Sequence, residues 1–169
     1  VAATGAATAP PSGPPSAAIA TATPVPTITP SPSPTPQPRT AACGQAITSD
    51  FVLANDLTCS GDALVVAADG ITLDLNGKLL KGPGMGQQTW PAPQLDSVAV
   101  RVEGRRNVTV RNGRIAEFST GVYFVRVTGS LIENVVSQRS LFGLYVHDSD
   151  GNTVRKNIVE ANIYGLHLQ

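Results

Sequence analysis

Apolar and polar residues alternate along the second half of the chain in a pattern that recurs every 22 residues. Three copies begin with glycine: Gly121-Val122-Tyr123-Phe124, Gly143-Leu144-Tyr145-Val146 and Gly165-Leu166-His167-Leu168. A fourth copy, Ala99-Val100-Arg101-Val102, precedes them. Alternation with a period of two is typical of a β-strand that buries one face. The pattern therefore predicts stacked strands whose inner face is wholly apolar.

A second short strand is predicted in each copy, and its outward charges keep the same period. Arg111, Glu133 and Arg155 lie 22 residues apart. In-register strands about 4.8 Å apart would place them in a column of alternating charge, which favours pairing between neighbours. Third strands are predicted near Ile115, Ser137 and Val159.

Asparagine recurs at the predicted turns. Asn112 and Asn134 share one register, Asn157 comes one residue late, and Asn76 resembles an earlier rung. Asparagine tolerates left-handed backbone and can hydrogen-bond to its copy in the next coil, so a ladder is expected. The 36 residues from Asn76 to Asn112 exceed one repeat and predict a projecting insertion over 82–93. Its Trp90 is either an exposed sugar platform or the loop's hydrophobic anchor.

Repeats of this length, with short strands and no helical periodicity, predict a coiled parallel sheet. Residues 43–80, 143–154 and 165–168 resemble the right-handed parallel β-helix repeat proteins of the pectate-lyase-like superfamily. They are especially similar to NosD-type periplasmic proteins and to carbohydrate-binding and sugar-hydrolase β-helices. The resemblance covers about residues 43–169 and implies an all-β, right-handed parallel β-helix. It does not imply one activity, because this scaffold carries lyases, hydrolases, epimerases, adhesins and maturation factors.

Composition divides the chain near residue 43. Residues 1–42 hold 11 of the 14 prolines and one charge, which predicts a disordered, extended linker. The linker is either a tether or a passive end. Residues 43–169 are predicted to form the N-terminal coils of the β-helix. We expect further coils or an oligomer contact at the C-terminal end, because an open coil exposes an apolar face and unpaired backbone groups.

The two cysteines, Cys43 and Cys59, are not spaced as a redox motif and have no nearby histidine. A disulfide is the favoured interpretation, and two small buried thiols are the alternative. A disulfide implies an oxidising compartment. We therefore expect a secreted protein, extracellular or in the cell envelope.

Charge and hydropathy exclude two classes of partner. The 12 basic and 12 acidic residues leave no net charge, which argues against nucleic acid as a main partner. The longest apolar run, Ala63 to Ala68, is far shorter than the roughly 18 residues of a membrane span. No cofactor or metal is expected either. Asp148 and Asp150 lie in a segment that lacks the other ligands of a calcium loop and is better explained as a turn.

The outward residues of the first strands form the candidate binding surface. Arg101, Tyr123, Tyr145 and His167 recur every 22 residues, and His147 lies beside them. Rings repeated at strand spacing, with a cation at one end, would suit a polysaccharide, including an acidic one. The alternative is that an aromatic ladder only stabilises the coils by stacking.

Catalytic chemistry is not assigned by the residues. A glycosidase needs two carboxylates facing one cleft, and no such set is identified, so the sequence leaves open whether the chain is an enzyme. We predict a secreted β-helix module that binds or helps to process polysaccharide. The alternatives are a non-catalytic structural or adhesive module and a NosD-like periplasmic maturation factor.

Overall fold

The structure is a computed structural model that describes residues 36–84 and 96–169, together with the isolated Gly5 and Gly13. Most of the predicted insertion, including Trp90, and most of the predicted linker therefore lie outside the described residues. Within the described residues the regular elements are fifteen β-strands, and none is a helix. The strands are β1 Pro38–Arg39, β2 Gln45–Ile47, β3 Phe51–Leu53, β4 Leu57–Thr58, β5 Leu64–Val66, β6 Thr72–Asp74, β7 Leu79–Lys81, β8 Val98–Glu103, β9 Thr109–Ala116, β10 Thr120–Val125, β11 Leu131–Gln138, β12 Phe142–His147, β13 Thr153–Arg155, β14 Ile158–Glu160 and β15 Tyr164–Leu168. The first strand, β1, lies inside the range assigned to the linker.

The strands form two parallel sheets that are wound into a β-solenoid of about five turns. The six-stranded sheet has the order β15-β12-β10-β8-β5-β2. The nine-stranded sheet has the order β1-β3-β6-β9-β11-β13, with β4, β7 and β14 also paired to it. Since strands of successive coils pair in parallel, the prediction of an all-β parallel β-helix is confirmed.

The register of the coils is the register of the sequence repeat. Tyr123 pairs with Arg101 on one side and with Tyr145 on the other, and Tyr145 pairs with His167. The inward residues of β8, β10 and β12 are consequently stacked on one another and fill a single core, whereas Leu166 and Leu168 of β15 are 48% and 64% exposed. Strands are also present at the predicted third positions. Ile115 pairs with Ser137 in β9 and β11, which continue without a break from the predicted second strands, and Val159 lies in the separate strand β14.

Each coil turns at the same positions, where the backbone φ is positive. Glycine, asparagine and a few other residues occupy these corners in columns of three, spaced by one repeat. The columns are Gly104, Arg126 and Asp148; Asn107, Gly129 and Gly151; Asn112, Asn134 and Lys156; Glu117, Arg139 and Ala161. Lys156 occupies the corner where the two preceding coils have Asn112 and Asn134. Asn157 is the residue after this corner and is therefore not a rung of the ladder.

The asparagine ladder exists, but its first rung is an aspartate. Asn134 donates to Asn112 Oδ1 at 2.8 Å, and the amide of Asn112 donates to both carboxylate oxygens of Asp74 at 3.1 and 3.0 Å. Asn76 instead donates to the carbonyl of Leu53. It lies in a tight turn that the later coils do not have, so its side chain is displaced from the column.

Three asparagines of the last described coil each bridge a turn of the preceding coil. Each side-chain amide accepts a hydrogen bond from one backbone N–H of the preceding coil and donates to the carbonyl three residues before that N–H. The three residues are Asn152, Asn157 and Asn162. Asn157, for example, accepts from Val135 at 2.9 Å and donates to Ile132 at 2.9 Å. Successive coils are thereby joined at their corners as well as along their strands.

The predicted column of alternating charge is formed in pairs. Arg155 contacts Glu133 at 2.8 Å, and Arg111 contacts Asp74 of the preceding coil at 2.9 Å. These pairs are partly exposed and contribute at most about 1 kcal/mol each. These ion pairs therefore favour the observed register of the strands but contribute little to the free energy of unfolding.

The predicted disulfide is confirmed. Cys43 is bonded to Cys59, with their Cα atoms 5.7 Å apart, and joins residues on either side of β2, β3 and β4. Cys59 is buried against the core. The bond therefore fastens the first coil at the end of the solenoid where the described strands begin.

Candidate functional site

The candidate site lies on the outer face of the six-stranded sheet. Strands β8, β10 and β15 each place one of the predicted residues there and β12 places two, because these residues alternate with the inward-facing positions of their strands. We call Tyr123, Tyr145 and His167 the ring column. Arg101 lies at one end of it and His147 lies beside it. The structure thus brings together all five residues that the sequence singled out.

The rings of the column are stacked face to face. The centroids of Tyr123 and Tyr145 are 5.3 Å apart with 9° between the ring planes, and those of Tyr145 and His167 are 4.8 Å apart with 5° between the planes. Tyr145, which lies between Tyr123 and His167, therefore has both faces of its ring covered. What the column presents to solvent is a row of ring edges, with the phenol oxygens and the imidazole nitrogens as its polar atoms.

Arg101 is committed to contacts within the protein. Its guanidinium contacts Asp62 at 2.6 Å and Glu103 at 3.0 Å, and it lies over the ring of Tyr123, 5.0 Å from the centroid. The hydrogen bond to Asp62 is the main cause that raises the pKa of Arg101. Two carboxylates balance this cation, so Arg101 ends the stack as a cation–π partner and adds little net positive charge.

The environment of Tyr123 keeps its hydroxyl protonated. Burial raises the pKa of the Tyr123 phenol, and the negative charge of Glu103 raises it further. The neutral phenol can both donate and accept a hydrogen bond. At neutral pH the column therefore offers this hydroxyl as a donor.

His147 is placed at the side of the column. Its ring lies 5.9 Å from that of Tyr145, and its Nε2 lies 3.4 Å from a carboxylate oxygen of Asp148. The other nitrogen, Nδ1, is buried and has no hydrogen-bond partner among the described residues. His147 is thus held by packing and by Asp148, and the structure positions no nucleophile beside it within the described part of the chain.

Two aromatic residues that the sequence interpretation missed extend the column. Phe142 stacks on Tyr164 with centroids 5.0 Å apart, and its edge meets Tyr145 and His167 at 5.2 and 5.5 Å. Phe142 and Tyr164 each precede the glycine of a repeat, and they pair in register. That spacing was visible in the sequence, but the alternation pattern assigned no outward face to the position before the glycine.

In residues 36–84 and 96–169, no three side chains of histidine, cysteine, aspartate or glutamate are grouped so that they could hold a metal ion. Among those same residues no helix has the length and apolar character to cross a membrane.

Part of the repeat region is similar to a known protein family. Residues 92–169 match the family model described as NosD, a periplasmic copper-binding protein. No curated protein and no solved structure matches the chain. The match to a periplasmic family and the disulfide together indicate an extracellular or periplasmic location. The chain is a parallel β-helix repeat protein whose repeats over residues 92–169 are similar to those of the NosD family.

Proposed function

We propose that the outer face of the six-stranded sheet binds a polysaccharide chain that runs along the ring column. The observation that carries the proposal is the in-register column, which presents one polar ring edge per coil over Tyr123, Tyr145 and His167. An extended glycan also repeats its hydroxyl groups along a line. A row of donors and acceptors at strand spacing is therefore a suitable partner for it.

The mode of contact follows from the stacking. Because neighbouring rings cover each other's faces, a sugar ring cannot lie flat on Tyr145. Recognition depends instead on hydrogen bonds from the two phenol groups and the imidazole, with the exposed ring of Tyr164 alongside. Hydrogen bonds of this kind contribute about 0.5–1.5 kcal/mol each, so several coils must act together.

The charges around the column favour a neutral glycan over an acidic one. Asp62 and Glu103 neutralise Arg101, and Arg126 lies 3.9 Å from Glu103. The cations nearest to the ring column therefore already have carboxylate partners. An acidic chain would gain little attraction there and would meet the same carboxylates.

The test is the double substitution Tyr123→Phe and Tyr145→Phe, which keeps the stack and removes only the two hydroxyls. We expect retention in gels that contain neutral polysaccharide to weaken by about tenfold, because two hydrogen bonds are lost. Affinity electrophoresis against a panel of neutral and acidic polysaccharides measures the effect. The free energy of unfolding, measured with urea, should change little.

A matched control is Thr153→Val, which removes an exposed hydroxyl from β13 in the nine-stranded sheet, away from the ring column. It should weaken retention less than the double variant. Unchanged retention in the double Phe variant, or no retention of the unmodified protein by any polysaccharide, would show that the column is only a structural ladder.

A second candidate role is favoured by the family match alone: a NosD-like part in the maturation of a periplasmic metalloenzyme. Copper, which the family description names, does not fit the residues described. Cys43 and Cys59 are joined to each other, and no metal-ligand group of three is found in the described coils. Such a role would therefore rely on contact with a partner protein. Metal analysis after exposure to copper and desalting should find well under one copper per chain.

A further inference from the structure

A groove on the nine-stranded sheet is separate from the ring column. It has a volume of about 420 Å³ and lies where strands β6, β9 and β11 bend. Its lining consists mainly of amides, glycines and one arginine: Asp74, Asn76, Gly77, Asn112, Gly113, Arg114, Asn134 and Val136. The volume is within the range of about 300–1,000 Å³ that is usual for small-molecule sites.

One wall of the groove is a turn found in only one of these coils. Asp74 pairs with Arg111 and Leu79 pairs with Arg114, so four residues of the earlier coil lie opposite two of the next. The extra length forms a β-turn in which Lys78 N–H donates to the Leu75 carbonyl at 2.8 Å. Its central residues, Asn76 and Gly77, have φ of 50° and 71°. This is the Asn-Gly pattern of a type I′ turn, which is a compact and rigid shape.

The floor of the groove is backbone. Gly113 is buried, and a Cβ atom there would overlap the side chain of Leu75. The position is therefore restricted to glycine by packing beneath the groove. Gly77 has no side chain, and a Cβ there would lie in open space, so a ligand can approach its main chain closely.

The opposite side is a fixed row of polar side chains. The carboxylate of Asp74 is held by Arg111, by the amide of Asn112 and by the backbone N–H of Asn76. Asn112 thus donates to Asp74 with its amide nitrogen, and its oxygen accepts from Asn134. Asn134 is exposed, and its Oδ1 accepts no hydrogen bond from the described residues. Its free oxygen and second N–H are available for a ligand at a position that the ladder fixes.

Arg114 supplies the charge of the groove. Arg101, Arg106, Arg111, Arg126, Arg139 and Arg155 each have a carboxylate within 4.0 Å. Arg114 is exposed and forms no ion pair with any of the residues that the structure describes. The one carboxylate in the lining, that of Asp74, is already paired with Arg111. The groove therefore carries a positive charge that is not neutralised.

We propose that this groove binds a small hydroxylated molecule that carries an oxyanion, such as a sugar acid or a sugar phosphate. The guanidinium of Arg114 would pair with the oxyanion, since its planar fork matches carboxylate and phosphate oxygens. The amides of Asn134 and Asn76 would hydrogen-bond to the hydroxyls. This site does not depend on polysaccharide binding at the ring column.

The experiment is a titration of the 169-residue, ¹⁵N-labelled chain with gluconate, glucose 6-phosphate, glucose and sulfate, followed by NMR. We expect saturable shifts of the Gly77 and Gly113 amides with gluconate or glucose 6-phosphate. Binding of the better of these two should be about tenfold or more tighter than that of glucose or sulfate, because only they offer both the charge and the hydroxyls. The preference between the two tells a carboxylate ligand from a phosphate ligand.

Two variants and one control test the residues. Arg114→Gln should weaken binding by about tenfold or more, because a charge-assisted hydrogen bond is lost. Asn134→Gly removes the amide and keeps a residue that accepts positive φ, and should weaken binding by about threefold or more. Arg139→Gln, which removes an exposed arginine at another corner, should change affinity less than about twofold.

Three outcomes would overturn the proposal. The first is the absence of saturable shifts at the groove with either anionic sugar. The second is sulfate binding as tightly as both sugars, which would indicate unspecific attraction of anions. The third is an equal effect of Arg139→Gln and Arg114→Gln in variants whose spectra remain folded.

Discussion

At the scale of single residues, the repeat glycines are the positions where packing leaves least choice. A Cβ atom on Gly121 would overlap the carbonyl oxygen of Gly143 and the hydroxyl of Ser137, and one on Gly143 would overlap Val159. The obstacle in the first case includes the backbone of the next coil, which cannot move without breaking strand pairing. Gly121 and Gly143 are therefore required by the distance between coils and not by backbone conformation, whereas a Cβ at Gly165 would make only an ordinary contact with Val159 at 3.7 Å.

Gly121→Ala should lower the free energy of unfolding by about 1–3 kcal/mol, the usual cost of overpacking a filled interior. Urea denaturation followed by circular dichroism measures it. Gly61→Ala is the control, because no atom lies within 4 Å of a Cβ at Gly61 and its φ is not positive. That variant should be neutral or slightly stabilised. Equal destabilisation by both substitutions would contradict the packing argument.

Tyr123 should ionise at a higher pH than free tyrosine, whose pKa is about 10. Its pKa is raised by burial and by Glu103, so the folded state keeps the proton longer than the unfolded state does. The stability that results is complete below the unfolded pKa and is lost as pH rises through the folded pKa. The free energy of unfolding of the wild type and of Tyr123→Phe should be measured from pH 8 to pH 11. Toward pH 11 the wild type should lose stability relative to the variant, which has no phenol to ionise at this position. Parallel pH profiles would contradict it.

At the scale of elements, the corners of one coil are held by side chains of the next. Asn152, Asn157 and Asn162 act as bridges, whereas Asn112 and Asn134 form a ladder on the outside of the bend. Both arrangements use asparagine, but for different reasons. The bridges satisfy backbone groups that the turn leaves without strand partners, and the ladder residues adopt positive φ.

Asn157→Ala should lower the free energy of unfolding by about 1–3 kcal/mol, because a partly buried N–H and a carbonyl of the preceding coil lose their partner. Glu160→Ala, in the exposed part of the neighbouring strand β14, should change it by no more than about 0.5 kcal/mol. Hydrogen exchange of the Val135 amide gives a local measurement of the same effect. Unaltered protection of that amide in Asn157→Ala would show that the bridge contributes nothing.

At the scale of the whole molecule, a solenoid transmits stability from coil to coil, so its ends matter most. The disulfide between Cys43 and Cys59 closes a segment with a separation of 16 residues at one such end. In the chain-entropy model a loop of this size contributes about 3 kcal/mol. A reductant should therefore lower the urea midpoint of the wild-type protein. The double variant Cys43→Ser and Cys59→Ser should start lower and show no response to reductant, and a wild-type midpoint that reductant leaves unchanged would contradict the prediction.

The arrangement of the candidate residues in one column was predicted correctly because it follows from the period alone, whereas their role in binding stays a prediction. Arg101, Tyr123, Tyr145 and His167 are in register because in-register parallel strands convert a constant spacing into a column. Phe142 and Tyr164 were missed because the corner before each repeat glycine interrupts the alternation from which the outward face was predicted. Asn76 was wrongly assigned to the ladder. Its turn is two residues longer than the corresponding turn of the next coil, and the spacing between asparagines does not show where those two residues lie.

The sequence by itself determined the coil: the period of 22, the inward apolar face and the pairing of strands in parallel follow from local spacing that the copies repeat, and the two cysteines offered a single possible pairing. Only the tertiary structure decided what the outer surfaces offer. Stacking between coils covers the faces of the rings and leaves their edges exposed, carboxylates from other turns neutralise Arg101, and an irregular turn opens the groove beside Arg114. These features arise between coils, where side chains distant in sequence compete for the same contacts, so the repeat pattern does not encode them.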